Sequence, residues 1–388
     1  MFPESEILTA LVARYLAVED VTFGDHGRWI ARYRGRLWNE EESEAAYDAL
    51  SEALRRYQLM PLFRLEQGRH VIYIVPAQQP GDTGRPIVNL LLFLLTLASV
   101  LFTASTMGNP YAPPPRNVLD AIYQGWPFTV SLLAILLAHE FGHYLLSRYH
   151  KTAATLPYFI PLPLISPLGT MGAVIQMRQT PKNRRVLFDI GIAGPLAGMI
   201  VAIPVLIWGL AHSQVKPLEV GSGTVLEGNS LLYLVLKYLI FGEWLPTPPQ
   251  QVGLLYWVRY FFTGSPLPIG GRDVLIHPVA FAGWAGLLVT ALNLIPAGTL
   301  DGGHILYAAL GQKARRLFPW IVGVTFLLGF NWSGWWVWTV LLLWLGRAYA
   351  EPLDQITPLD GKRRLLALLA LVLFLLVFMP VPMVVFGA

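Results

Sequence analysis

Apolar residues fall into two regimes along this chain. Before residue 80 they are interspersed with charges. From residue 87 onward they come in long runs separated by short polar or proline-rich stretches. In the first regime, residues 40–57 put Ala46, Leu50, Leu54 and Tyr57 on one stripe, which predicts an amphipathic helix. Residues 63–75 predict a β-hairpin turning at Gln67-Gly68, and residues 29–37 a further strand. Residues 1–80 are therefore expected to form a small soluble α+β domain without a catalytic motif. A linker of Gln, Pro and Gly, residues 76–86, leads into the second region, 81–388.

In that region the apolar runs predict spans at 87–101, 128–146, 187–210, 276–296 and 365–385. Residues 231–241 and 254–262 are short and interrupted by Lys237 and Arg259, so they are expected to be interfacial or re-entrant. Residues 317–330 and 335–345 predict a hairpin turning at 331–334. Residues 109–116 hold too many prolines for a helix or a central strand. The expected fold class is mainly α, a polytopic helical membrane protein carrying a small N-terminal α+β domain.

Composition agrees with this pattern. Of 388 residues 54% are hydrophobic and 13% charged, against about 25% charged in soluble domains. The net charge of +4 does not imply nucleic acid, because the basic residues cluster in short loops between apolar runs. Arg148, Lys151, Arg178, Lys182, Arg184 and Arg185 fall on one side, with Lys313, Arg315, Arg316, Arg347, Lys362, Arg363 and Arg364 if the spans alternate. That side is expected to be cytoplasmic, with the N-terminal domain on it, in a multi-pass protein of the cell membrane. The opening residues show neither a signal-peptide nor a transit-peptide pattern. There is no cysteine, so disulfides are excluded and a metal site must use His, Asp or Glu.

Chemistry enters with Ala138-His139-Glu140-Phe141-Gly142-His143 inside the second span. Histidines four apart on a helix share a face and can hold one zinc ion. Glu140 is turned about 100° from His139, which suits a base better than a third ligand. Ionisable groups in a lipid-spanning helix are costly and mark function. For the third ligand two aspartates compete. Asp189 begins the third span and reads better as an interfacial helix cap. Asp301 follows the fourth span in Asn293-Leu-Ile-Pro296-Ala-Gly298-Thr-Leu300-Asp301-Gly302-Gly303, a helix-breaking stretch at the depth of His139 and His143. Depth matching favours Asp301. His304 and His277 read as structural residues, and the tryptophans of 332–338 as an interface belt.

These motifs resemble the site-2 protease family of intramembrane metalloproteases. His139-Glu140…His143 and Asn293…Pro296…Leu300-Asp301-Gly302 both match, in the family's order. Gly169-Thr170-Met171-Gly172-Ala173-Val174-Ile175 resembles its membrane-dipping β-hairpin. Gly191-Ile-Ala-Gly194-Pro195-Leu-Ala-Gly198 resembles its third core helix. The resemblance covers residues 123–310. It implies one zinc per chain, Asp301 as third ligand, and peptide hydrolysis within the bilayer. The expected partners are the lipid bilayer and a membrane-protein substrate with a transmembrane helix.

No PDZ-like insertion is visible before the Asp301 segment, and the N-terminal domain is closer to that of cyanobacterial and plastid relatives. Glu140 is expected to be the base and Asn293 an oxyanion donor. Gly169, Thr170, Met171, Gly172, Ala173 and Val174 are expected to hold an extended substrate by strand addition. A transporter or metal carrier is the alternative class, since broken helices with polar residues also mark transport sites. Transport gives no reason for a glutamate directly after the first histidine. An inactive relative that binds membrane proteins is a further alternative.

Overall fold

The computed structural model of the chain describes residues 5–25, 29–77, 81, 84–218, 221 and 225–385. Residues 1–4 of the opening segment and most of the predicted linker's centre, 78–80 and 82–83, lie outside the described residues.

The N-terminal region is α+β. Its elements are α1 (Ser5–Ala13), β1 (Leu16–Asp25), β2 (Trp29–Leu37), α2 (Ser43–Arg55), β3 (Leu59–Glu66) and β4 (Arg69–Pro76). The strands form one antiparallel sheet in the order β1-β2-β4-β3. Leu8 and Val12 of α1 and Ala46, Tyr47, Leu50 and Leu54 of α2 pack with Tyr33, Phe63, Ile72 and Ile74 of the sheet. The β3–β4 turn places Gln67 and Gly68 at φ 49 and 77, the left-handed pair that a tight two-residue hairpin requires. Strand β1 escapes the sequence pattern because its register shifts between Val18 and Asp20. The bulge at Glu19 breaks the two-residue alternation.

The remainder is mainly helical. It runs α3 (Pro86–Met107), α4 (Val118–Tyr149), β5 (Tyr158–Pro161), β6 (Thr170–Val174) and α5 (Arg184–Ala211). Then come β7 (Gln214–Pro217), β8 (Val225–Glu227), α6 (Leu231–Phe241), α7 (Leu254–Thr263) and β9 (Arg272–Leu275). The chain ends with α8 (Pro278–Asn293), α9 (Asp301–Leu310), α10 (Phe318–Leu328), α11 (Gly334–Leu345), α12 (Gly361–Val377) and β10 (Met383–Val385). Helices α4, α5 and α8 pack on one another around a core that includes Leu132, Leu136, Leu206, Trp284 and Leu287, with α3 against α4 and α9 against α5.

Helices α3, α4 and α5 are long and apolar enough to cross a membrane. Several predicted bounds need correction. Helix α4 begins at Val118, because Asn117 caps it by accepting from Asp120 N at 2.9 Å and it runs on through Pro127. The predicted fourth and last spans are helices of 16 and 17 residues, below the roughly 20 that cross a bilayer untilted. The last helix stops at Val377, ahead of Pro380 and Pro382, and residues 383–385 pair with β8 instead. Lys237, read as a break at the membrane interface, is buried in protein: Nζ lies 3.7 Å from Asp273 Oδ1 and 4.5 Å from the centre of the Tyr233 ring. Trp335, read with the interface belt, is also buried, and its Nε1 donates to Pro380 O at 2.6 Å.

A seam joins the N-terminal region to the helices. Residues 353–355 lie between β3 and the segment before α5. Phe63 N donates to Leu353 O, Gln355 N to Phe63 O, Leu353 N to Pro181 O and Asp354 N to Lys182 O, at 2.8–3.1 Å. On α2, Glu44 accepts from Arg185 Nη1 at 2.7 Å, Asn183 Nδ2 at 2.8 Å and Lys182 Nζ at 3.3 Å. Burial pushes the Glu44 carboxyl up, but Lys182, Asn183 and Arg185 together bring it below its ordinary 4.5. A carboxyl lowered on folding stabilises above its unfolded pKa, and that contribution fades as pH falls through the folded one. The difference in thermal midpoint between wild type and Glu44→Gln should therefore be present at neutral pH and shrink as pH falls below 4.5. Paired melting curves across that range check it.

Candidate metal centre

The centre is assembled from three elements. Helix α4 supplies His139 and His143, one turn apart on the face that meets α5, both buried. The stretch between α8 and α9 supplies Asp301. After Asn293 the chain cannot stay helical through Pro296, and Gly298 takes φ 56. An added Cβ at Gly298 would overlap the backbone of Gly346. This reversal puts Asp301 in the first turn of α9, where a carboxylate is favoured by the helix dipole.

Asp301 directs Oδ2 to His139 Nε2 and Oδ1 to His143 Nε2, each at 3.2 Å, and the two Nε2 atoms are 3.3 Å apart. One ligand atom from each residue lies within 4.8 Å of the others. Donors about 2.0–2.1 Å from a tetrahedral zinc sit about 3.3 Å apart, so this set fits that ion and leaves a fourth position open. The ring of His143 is oriented from outside: its Nδ1 lies 2.7 Å from Ile190 O on α5. A carbonyl accepts only, so Nδ1 carries the proton and Nε2 is left as the donor to a metal.

Helix α5 reaches the histidines through glycine. A Cβ at Gly194 would collide with the His143 ring, and one at Gly198 would lie 3.2 Å from His139 Cβ. Asn293, the last residue of α8, brings Nδ2 to 3.3 Å from His139 Nε2. Glu140 is buried beside the cluster, and among the described residues nothing hydrogen-bonds its carboxylate.

The other candidates are placed elsewhere. Asp189 pairs with Arg363, Oδ1 to Nε at 2.8 Å and Oδ2 to Nη2 at 2.6 Å, and with His150 Nε2 at 3.0 Å. It ties α4, α5 and α12 together. His277 caps α8, its Nδ1 accepting from Val279 N at 3.2 Å. His304 is buried against Gly191, outside the set of converging ligand atoms.

The predicted substrate strand exists as β6, paired antiparallel with β5 and packed on α4. Its residues differ in what they offer. Gly169 is committed internally: its carbonyl accepts from Ser99 Oγ at 2.5 Å and Leu162 N at 3.1 Å. Thr170 Oγ1 donates to Ile160 O at 2.8 Å and accepts from Gly172 N at 3.0 Å. Met171 and Val174 are exposed and Ala173 packs on the core. Among the described strands, β6 has no neighbour beyond β5.

The sequence profile of peptidase family M50 matches residues 127–329, just over half of the chain. The chain belongs to peptidase family M50. It is 31% identical over 325 residues to "Probable zinc metalloprotease EGY1, chloroplastic" of Oryza sativa subsp. japonica, covering 78% of this chain and 52% of that protein. It is 30% identical to the Arabidopsis thaliana protein of the same name, with coverages of 78% and 55%. It is 28% identical over 342 residues to "Probable zinc metalloprotease EGY2, chloroplastic" of Oryza sativa subsp. indica, with coverages of 84% and 56%. The chain thus spans about half the length of these relatives. No solved structure matches it. Within this M50 setting, the carbonyl of Ile190 was not visible to sequence reasoning, because a main-chain acceptor leaves no residue signature.

The packing of Gly194 yields a direct test. Gly194→Ala should weaken zinc retention by at least about tenfold, as disturbed outer-shell partners do. Gly253→Ala, where nothing lies within 4 Å of the added Cβ, should leave it unchanged. Zinc per chain after matched chelator washes is the measurement.

Proposed function

We propose that this chain is a zinc-dependent endopeptidase that hydrolyses peptide bonds of membrane proteins within or near their transmembrane segments, as regulated intramembrane proteolysis requires. The observation that carries this reading is the convergence of His139, His143 and Asp301 at 3.2–3.3 Å inside the apolar bundle, with Glu140 buried beside them. The family and the relatives' names supply the zinc-peptidase chemistry. The placement among long apolar helices supports its being carried out at membrane depth.

The ligands are His139 Nε2, His143 Nε2 and a carboxylate oxygen of Asp301, for one zinc per chain. A zinc ion held there would supply Lewis acidity toward the scissile carbonyl and the attacking water. Glu140 accepts the proton of the attacking water on its carboxylate and delivers it to the departing amide nitrogen. Asn293 Nδ2, held next to His139, donates to the carbonyl oxygen as it gains charge. Ile190 O keeps the His143 proton on Nδ1 throughout. The substrate's helix must unwind before its amide is reachable. The edge of β6 that no described strand covers, within Thr170 to Val174, offers main-chain partners to the extended segment apart from Thr170 O and Gly172 N, which Ser166 Oγ and Thr170 Oγ1 already engage, with Gly169 fixing the hairpin against α3.

Residues 1–80 act as a soluble domain and 81–388 as the membrane-embedded protease, with the catalytic core at about 123–310. The Glu44 seam supports placing the N-terminal domain on the side of the basic loops, expected to be cytoplasmic.

Two single variants and a proline series test the reading. Glu140→Gln should keep its zinc and lose at least about 100-fold in cleavage of co-expressed single-span membrane proteins, read by mass spectrometry of their fragments. Native-rate cleavage by this variant would sink the mechanism. Asp301→Ala should lose zinc by elemental analysis; unchanged zinc would place the third ligand elsewhere. Proline substitutions at 172–177 should each reduce cleavage if β6 binds substrate by added main-chain hydrogen bonds.

A further inference from the structure

We propose that Glu44, on a helix of the N-terminal domain, is a positioning residue for the metal centre, so that the docked domain is a working part of the peptidase. The inference rests on the zinc-peptidase reading above.

Four consecutive residues, 182–185, link the N-terminal helix α2 to α5 and α9. Asn183 is fully buried and uses both ends of its side chain. Its Oδ1 accepts from Val186 N at 3.0 Å and caps α5, while its Nδ2 donates to Glu44 Oε1 at 2.8 Å. A capping amide held from outside cannot rotate away from the helix end. Lys182 and Arg185 flank it and meet the same carboxylate at 3.3 Å and 2.7 Å. Arg184 points the other way. Its Nε and Nη2 donate to Ala308 O and Ala309 O, each at 2.8 Å, at the end of α9.

Both helices so held begin or pass at the metal centre. Helix α5 carries Ile190, whose carbonyl orients His143, and Gly194, which lies against its ring. Ile190 is seven residues beyond Asn183, about 10 Å along the axis at 1.5 Å per residue. Helix α9 starts at Asp301. A packed helix moves as a unit, so a shift of its end reaches the ring that Ile190 holds. Ion pairs as exposed as these, with Glu44 34% and Lys182 33% accessible, contribute little stability. The hydrogen bond from the Asn183 amide to this carboxylate, rather than the ion pairs, fixes where the end of α5 sits.

The test is zinc affinity by competition with a chelator, together with amide exchange over residues 184–190, in the full chain. Glu44→Ala should weaken zinc about tenfold and speed exchange at the start of α5. Glu44→Gln, which keeps an oxygen for Asn183, should hold zinc within about twofold of wild type. A merely structural role for the ion pairs predicts the reverse, with Glu44→Gln as damaging as Glu44→Ala. Zinc affinity and exchange unchanged in Glu44→Ala would overturn the proposal while leaving the peptidase reading intact. Should Glu44→Ala not fold, Glu44→Asp decides: one methylene short, it should lose zinc affinity measurably, and wild-type affinity there would overturn the proposal. A wild type that takes up no zinc would overturn both readings.

Discussion

The close approach of α5 to the histidine face of α4 is the contact on which the rest of the centre depends. Two imidazoles and a carboxylate lie in a largely apolar bundle, and each brings a desolvation cost. The cost is tolerable only if donors and acceptors are matched to within a few tenths of an ångström. Gly194 lets the α5 backbone come down onto His143, and that proximity puts Ile190 O at 2.7 Å from Nδ1. A larger residue there would separate the helices and leave the proton on either nitrogen. The small residues of α5 thus act electronically as well as sterically, since they decide which nitrogen faces the cluster.

The second constraint is the interrupted helix between Asn293 and Asp301. A continuous helix would carry Asp301 about 12 Å further along the axis from Asn293. Pro296 and the reversal at Gly298 hold Asp301 at the depth of the histidines. Asn293 ends one helix and Asp301 begins the next, and both side chains reach the same imidazole, His139. Exposed peptide groups in such a break have no water at membrane depth, so the segment must sit among protein. It does so: Ile295 and Ala297 are buried with Trp335 and Leu342 of α11. The α10–α11 hairpin therefore serves the centre indirectly, as the wall against which the break is folded.

What the sequence made legible follows the range of the interactions involved. The histidine pair is local, four residues on one helix, and periodicity alone reveals it. Asp301 is 158 residues beyond His143, yet depth in an apolar bundle is a one-dimensional coordinate that hydropathy supplies. The α2 stripe and the Gln67-Gly68 turn are likewise local. Elements set by partners distant in both sequence and direction were not legible. Lys237 looks like a break in a span until Asp273 and Tyr233 are seen around it. Residues 383–385 extend an apolar run in the sequence, but the prolines before them and the edge of β8 make them a strand. Ile190 contributes a carbonyl, which every residue has.

Residues 353–355 show how a seam of modest energy can be specific. Its main-chain bonds run to β3 on one side and to 181–182 on the other, so a short segment acts as a strand shared by the N-terminal region and the helices. Main-chain bonds alone would tolerate a shift of two residues with the same pattern. Asp354 removes that freedom: it is fully buried, and its carboxylate accepts from Ile356 N, Thr357 N and the Thr357 hydroxyl. A slipped register would carry this carboxylate and its local donors together out of the place in which Asp354 is buried, and would part Thr357 from its partner on α2. The same Thr357 hydroxyl meets Ser43, the first residue of α2, at 2.9 Å. Register in the shared strand therefore sets where α2 begins, and α2 carries Glu44 to the cap of the helix that orients His143.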